Sequence, residues 1–349
     1  MPEDRVKTLK QLAERLDVSI TTVSRALAGH EQIALKTRKR VAEAARDLGS
    51  VPNQAARQLV SGRSGFVGFL MPVRGPNFVD SYLGEFITGL GEGFVSHGLD
   101  LFLATVQQGH DELTVLRHIV ESGRADGVVV PRVYEDDRRL AYLAMQRFPV
   151  VAHGRLRDSK SSYGWLDSDG EEAFRQAFDL LYEHGHRHIG LITISDPMTF
   201  RHYREQGLQQ AILNRGDPAV RLSVERFSRF DAKARIAAVN SMLHRHDRPT
   251  AIIGLFDEIA ISVLEEAARA GIDVPRDLSI IGFDNVISGA YAPPGLTTFD
   301  AKIRTSAHDI ARMLVEIIEN PKAPPPHRLV RPELVLRASH GPAPDCFVT

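Results

Sequence analysis

Val18-Ser-Ile-Thr-Thr-Val-Ser-Arg-Ala-Leu27, with Thr8-Leu-Lys-Gln-Leu-Ala13 before it, is the stretch on which the fold of this chain turns. Leu9, Leu12, Ala13 and Leu16 recur at helical spacing, and Thr8 with Gln11 three residues later reads as a capping box. Asp17-Val18-Ser19 interrupts the pattern, and Ser19 is a suitable cap for a second helix. That helix carries Val23, Ala26 and Leu27 inward and ends near Gly29. A third runs from about Leu35 to Leu48, with Val41, Ala44, Ala45 and Leu48 on one stripe and Gly49 as its stop.

Two short helices across a tight turn, propped by a third, make a helix-turn-helix unit. The second helix of such a unit enters the major groove N-terminus first. Its outward residues there are Ile20, Thr21 and Arg25. Arginine can grip guanine through two hydrogen bonds, and the methyl groups of Ile20 and Thr21 suit base edges. Ser19, Thr22 and Ser24, with the basic cluster Lys36, Arg38, Lys39 and Arg40, suit phosphate contacts, which position without specifying. The plainer reading is a small bundle with a solvated basic face.

Charge favours the first reading. The net charge of -1 divides into +5 over residues 1–64 and -6 over the rest. A basic head on an acidic body is expected to meet a polyanion with the head alone. The 43% hydrophobic and 25% charged content excludes a disordered or fibrous chain. No run approaches the roughly 18 to 20 apolar residues of a membrane span. The charged N-terminus is not that of a signal peptide, and the single cysteine, Cys346, has no partner within the chain. A reducing, cytoplasmic setting is expected.

The two quoted strings, with Thr37-Arg-Lys-Arg-Val41 and Pro52-Asn-Gln-Ala-Ala-Arg-Gln-Leu59, resemble in order and spacing the head of the LacI/GalR family of bacterial transcriptional regulators. The resemblance assigns Ile20, Thr21 and Arg25 to base reading. It adds Thr8, Asn53 and Ala56 to the DNA-contacting set and makes residues 52–60 a hinge helix, with Leu59 as a wedge in the minor groove. An eight-residue helix is too short to persist alone, so it is expected to order when two copies meet on DNA and bend the duplex. Ser50 replaces the family's usual Tyr, and Ala34 replaces the Ser or Thr that caps the third helix. A less stable head is the expected consequence.

From Gly65 onward, short apolar strands alternate with amphipathic helices. Strands are predicted at 66–71, 99–106, 127–131, 149–153, 189–194, 250–255 and 278–283. Helices are predicted at 82–97, 113–121, 171–184, 204–213, 232–243, 259–270 and 303–318. This alternation implies doubly wound parallel sheets covered on both faces. About ten strands are too many for one modest sheet, so an α/β body of two lobes follows, with ligands at the carboxyl ends of the strands.

The resemblance continues through Gly65-Phe-Val-Gly-Phe-Leu-Met-Pro72, Ala125-Asp-Gly-Val-Val-Val130, Glu183-His-Gly-His-Arg-His-Ile-Gly190, Asp273-Val-Pro-Arg-Asp-Leu-Ser-Ile-Ile-Gly-Phe-Asp284 and Pro294-Gly-Leu-Thr-Thr298. It implies an effector domain similar to type I periplasmic sugar-binding proteins. The organisation becomes a helix-turn-helix domain at 1–50, a hinge and linker at 51–63, an effector and dimerisation body at 64–340, and a tail at 341–349. The first lobe takes about 65–162 and 298–325, the second about 163–297 and 326–340. Pocket positions carried over by the resemblance are Asn77, Phe78, Arg132, His153, Arg155, Asp169, Arg204, Asp257 and Asp284. Trp165 and Phe256 join them as candidate apolar faces for a sugar ring. Phe256 stands where the family commonly has Asn, Gly170 where Asn often follows Asp169, and Ala301-Lys302 where Gln-Pro is usual. An apolar Phe256 suggests a larger ligand such as a glycoside or disaccharide.

Other chemistries find little support. Gly89-Leu-Gly-Glu-Gly93 lies inside a helical pattern, which is the wrong context for a phosphate loop. His184, His186 and His188, and the pair His244 and His246, lack the spacing and partners of a metal site and read as surface or capping residues. No nucleophile elbow or carboxylate dyad is present, so neither an enzyme nor a cofactor is expected. The function implied is a sequence-specific regulator, a repressor of carbohydrate genes, acting as a homodimer on a pseudo-palindromic operator under control of a sugar or glycoside. An activator or dual regulator with a non-sugar effector stays open, as does a sugar-binding protein sharing the fold. The tail has no heptads, which favours a dimer over a coiled-coil tetramer.

Overall fold

The computed structural model describes residues 9–27, 32–47, 63–72, 81–107, 109–157 and 162–344. Thr8, Asn53, Ala56, Leu59, Asn77 and Phe78 therefore lie outside the described residues, with the expected capping box and hinge helix.

The head contains α1 (Leu9–Leu16), α2 (Ile20–Leu27) and α3 (Leu35–Asp47). Leu12, Ala13, Leu16, Val23, Ala26, Val41 and Ala45 form its buried core, as the spacing requires. The turn between α1 and α2 places Asp17 in the left-handed region (φ 52°). The Ser19 hydroxyl accepts a hydrogen bond from the Thr22 amide at 3.0 Å, satisfying one orphan donor of α2. Arg40 donates to the Leu16 carbonyl at 2.6 Å. That bond ties α3 to the end of α1.

The body has two parallel sheets. In the first, the order across the sheet is His327–Val330 (β11), Gly164–Ser168 (β5), Val150–His153 (β4), Gly127–Pro131 (β3), Phe66–Pro72 (β1) and Asp100–Val106 (β2). In the second it is Arg221–Phe227 (β7), His188–Ile194 (β6), Ala251–Gly254 (β8) and Ser279–Ile281 (β9). Thr298–Asp300 (β10) and Glu333–Val335 (β12) pair antiparallel. The buried strands, such as Val128-Val-Val130 and Ile189–Ile194, are nearly continuous apolar runs because helices cover both faces.

The helices are α4 (Ser81–Val95), α5 (Glu112–Glu121), α6 (Arg138–Gln146), α7 (Gly170–Glu183), α8 (Thr199–Arg215), α9 (Ala232–Leu243), α10 (Asp257–Arg269), α11 (Ile287–Tyr291) and α12 (Ile303–Glu319). The chain leaves the first sheet after β5, returns through α12, and leaves again after β11. The lobe boundaries expected at 162/163 and 325/326 are thereby corrected. β5 pairs with β4, and β11 with β5, so both strands belong to the first lobe.

Two glycines explain how α12 reaches that lobe. A Cβ on Gly89 would lie 2.7 Å from the Arg304 carbonyl oxygen, and one on Gly93 would lie 2.6 Å from the Ala311 Cβ. They let α4 and α12 pack backbone to backbone. His186 departs from its expected surface role. It is fully buried, hydrogen-bonded to Thr250, Ser279 and the Gly341 carbonyl, and burial lowers its pKa to about 4. His188 is likewise buried, against Ser223. No helix among the described residues is long and apolar enough to cross a membrane.

Candidate functional site

The carboxyl ends of β3, β4, β5, β6, β8 and β9 open onto one cavity of about 410 Å³ between the lobes. The first lobe contributes Tyr82, Arg132, His153 and Asp167, and the second Phe200, Arg204, Arg229, Phe256, Phe283 and Asp284.

Arg204 organises the second-lobe wall. It stands on the second turn of α8, donates to the Leu255 carbonyl at 2.6 Å and lies 3.9 Å from Asp284. Its guanidinium covers the Phe283 ring at 3.7 Å and approaches Phe200 at 5.0 Å. Burial lowers its pKa, and the Asp284 carboxylate opposes that effect. Asp284 itself has φ 123°, a conformation that side-chain-bearing residues rarely adopt. The strain is held from beneath. Asp257 is fully buried, accepts the Val286 amide at 2.8 Å and the Thr298 hydroxyl at 2.5 Å, and so clamps the turn that lifts Asp284 into the cavity. Burial pushes the Asp257 carboxyl up to about 6.

On the facing wall, the Tyr82 hydroxyl and His153 Nδ1 share a 2.7 Å hydrogen bond. The imidazole stacks on Phe86 at 4.7 Å. Burial, helped by the charge of Arg204, lowers the His153 pKa to about 4, so the ring is neutral at pH 7. Asp167, the penultimate residue of β5, accepts the Ser168 amide at 2.9 Å. Burial raises its carboxyl to about 7, against the stabilising charges of Arg155 and Arg204. Arg132 has left-handed backbone (φ 52°) and extends over Phe230 of the second lobe at 5.9 Å.

Of the residues expected at the pocket, Arg132, His153, Arg204, Phe256 and Asp284 line the cavity. Phe256 is only 4% exposed, and Arg229 covers its ring at 4.4 Å. The others among the described residues are corrected. Asp257 lies beneath the wall. Asp169 caps α7 by accepting the Glu172 amide. Trp165 sits three residues before the end of β5, beside β11, and stacks on His327 at 5.0 Å. Arg155 sits behind Asp167 at 3.4 Å, with its guanidinium over Tyr203 at 4.3 Å. Asp167, Phe200 and Arg229 were missed because the strands β5 and β7 and the first turn of α8 were not predicted. A strand-end reading of Leu166-Asp-Ser168 would have found the first.

On the head, Ile20, Thr21 and Arg25 are exposed together on α2, while Ser19 and Thr22 bond to each other at 2.8 Å. Ser24 is half-buried. The three residues form one exposed edge of α2 among the described residues.

Residues 8–53 match the family model for bacterial regulatory proteins of the lacI family, and residues 178–340 that for a periplasmic binding protein-like domain. The HTH-type transcriptional regulator AglR of Rhizobium meliloti (strain 1021) is 34% identical over 97% of this chain and 95% of its own length. The chain belongs to the LacI family. This LacI-family protein is a DNA-binding transcriptional regulator, with a helical head and an α/β body of the periplasmic-binding-protein type. It is also 27% identical to the HTH-type transcriptional regulator CelR of Thermobifida fusca, over 97% of this chain and all of that one. A solved CelR–cellobiose complex superposes with a TM-score of 0.70 at 26% identity, covering 95% of this chain and 99% of that one. The lac repressor dimer bound to operator and the anti-inducer ONPF shares the fold, with a TM-score of 0.80 at 20% identity over 95% and 98% of the two chains.

Proposed function

We propose that this regulator is a homodimeric repressor of carbohydrate genes whose operator affinity is set by a saccharide or glycoside held between the lobes. The observation that carries the reading is the pairing, in one cavity, of Arg204, Asp284 and Arg132 with the rings of Phe200, Phe256 and Phe283. Sugars present vicinal hydroxyls at their edges and C–H surface on their faces, and such a lining answers both. The CelR–cellobiose complex adds support from a relative. Ile20, Thr21 and Arg25 read base edges, while Ser19, Thr22, Ser24 and Thr8 take phosphates. Asn53, Ala56 and Leu59 serve the hinge. A sugar that prefers one lobe arrangement changes operator affinity by linkage, and operator changes sugar affinity by the same factor.

The test is operator binding by fluorescence anisotropy at fixed salt, on DNA upstream of the gene and its neighbours, with a panel of mono- and disaccharides that includes cellobiose. Selective binding weakened by one sugar supports the reading. Selective binding that no sugar alters sinks the saccharide part, and no selective binding sinks the operator part. Arg204→Ala and Asp284→Ala are expected to abolish the sugar response while leaving operator binding intact.

A further inference from the structure

We propose that Arg139 is a positioning residue for this cavity, acting through a buried ion network that holds both Arg132 and the turn joining the two lobes. The inference rests on the reading of the cavity as the effector site.

β3 ends at Pro131, and the chain crosses to α6 through residues 132–137. Arg132 faces the cavity from left-handed backbone, which a residue bearing a Cβ adopts at a cost. Something must hold it there. Arg139, on the first turn of α6, is 4% exposed and donates Nη2 to the carbonyls of Pro131 at 3.2 Å and Arg132 at 3.1 Å. The same guanidinium bonds Asp137 at 2.6 Å and, through Nη1, Glu112 of α5 at 2.6 Å. Asp137 closes the loop by accepting the Tyr134 amide at 3.1 Å while capping α6. Both ends of the turn are thus gathered on one side chain.

The held turn does more than present Arg132. Tyr134 pairs with Met198 of the second lobe in an antiparallel bridge. The Glu135 amide donates to the Pro197 carbonyl at 2.8 Å, and the Thr199 amide donates to the Val133 carbonyl at 2.9 Å. Arg201 adds an ion pair to Glu135 at 3.1 Å. A backbone connection between lobes is therefore continuous, through one turn, with a cavity arginine and with a buried guanidinium behind it. An apolar side chain would fill the Arg139 site without gathering these acceptors, and a lysine ammonium, a point charge with three donors, does not span them.

The test compares Arg139→Lys and Glu112→Gln in the full chain by hydrogen exchange read by mass spectrometry, at a temperature where each variant is folded. Two variants are used because replacing Arg139 risks unfolding, whereas Glu112 removes one arm of the network. The expected result is exchange faster by about tenfold or more in peptides covering 132–137 and 196–201, with β6 unchanged. Where a panel disaccharide shifts operator binding, its midpoint rises about tenfold or more in both variants, and sugar-free operator affinity holds. Equal acceleration at β6 would reduce Arg139 to a general stabilising role and overturn the proposal. So would unchanged exchange at the turn, or an unchanged sugar midpoint. The exchange measurement needs no ligand, so failure of the saccharide reading is seen separately, in the panel.

Discussion

A Cβ built on Gly170 falls 2.8 Å from the Cγ of Arg204. Gly170 opens α7, next to the cap residue Asp169, and the Arg204 stem passes over it to reach Phe283 and the Leu255 carbonyl. The departure from the family pattern at this position has a physical consequence: the missing side chain is the space in which the principal cavity arginine lies.

Gly170→Ala should therefore displace Arg204. Overpacking of a buried contact costs about 1–3 kcal/mol, and denaturant unfolding should show a loss of that order, with, under the proposed saccharide reading, a weaker sugar response. Unchanged stability and response would mean that the arginine stem has room to shift.

Asp167 makes stability depend on pH. Its carboxyl titrates near 3.8 when unfolded and at about 7 when folded, so between these values the folded state holds a proton that the unfolded state has lost. Stability from this group is full below about pH 4 and declines as pH rises to about 7. His153 works oppositely: folded at about 4 against 6.5 unfolded, it costs stability as pH falls through that window. Asp167→Asn removes the first contribution alone. Relative to the natural protein, the variant should gain up to about 4 kcal/mol between pH 4 and pH 8, from 1.36 kcal/mol per pKa unit. Denaturant titrations at the two pH values check this, and a pH-independent difference would mean Asp167 is ionised in the folded state.

In the head, Ser19→Ala removes the cap on α2 and should cost about 1 kcal/mol of head stability, read by thermal melting of the α-helical signal with and without operator. Arg25→Ala should instead leave stability alone and cost about 1–3 kcal/mol at one base pair. Equal weakening on every DNA sequence would show that Arg25 touches only phosphate.

Gly89→Ala places a methyl group against the Arg304 carbonyl, where backbone rather than a side chain must move. The contact joins α4 to α12, so first-lobe stability should fall by about 1–3 kcal/mol. A silent substitution would show that the helices separate without penalty.

The helices of the head were legible residue by residue, because Leu12, Leu16, Val23 and Val41 announce their burial through spacing over one or two turns. Buried parallel strands such as Gly127–Pro131 were legible for the same local reason. The edge strand β7, with pattern Arg-Leu-Ser-Val-Glu-Arg-Phe, carries charges on its exposed positions and was not recognised. Arg229, which follows it, was lost with it. Trp165 and Asp257 show the reverse error, since residue type suited a sugar site and only position within the strand or beneath the turn excluded them.

The sequence by itself determined the local elements, the order of head and body, and the chemical character of α2, since each depends on residues within a few positions of one another. Which strand ends meet was decided by the tertiary structure alone. Crossovers after β5, β10 and β11 bring Tyr82, Asp167, Arg204 and Asp284 to one cavity, and no local period records a contact between residues so far apart along the chain.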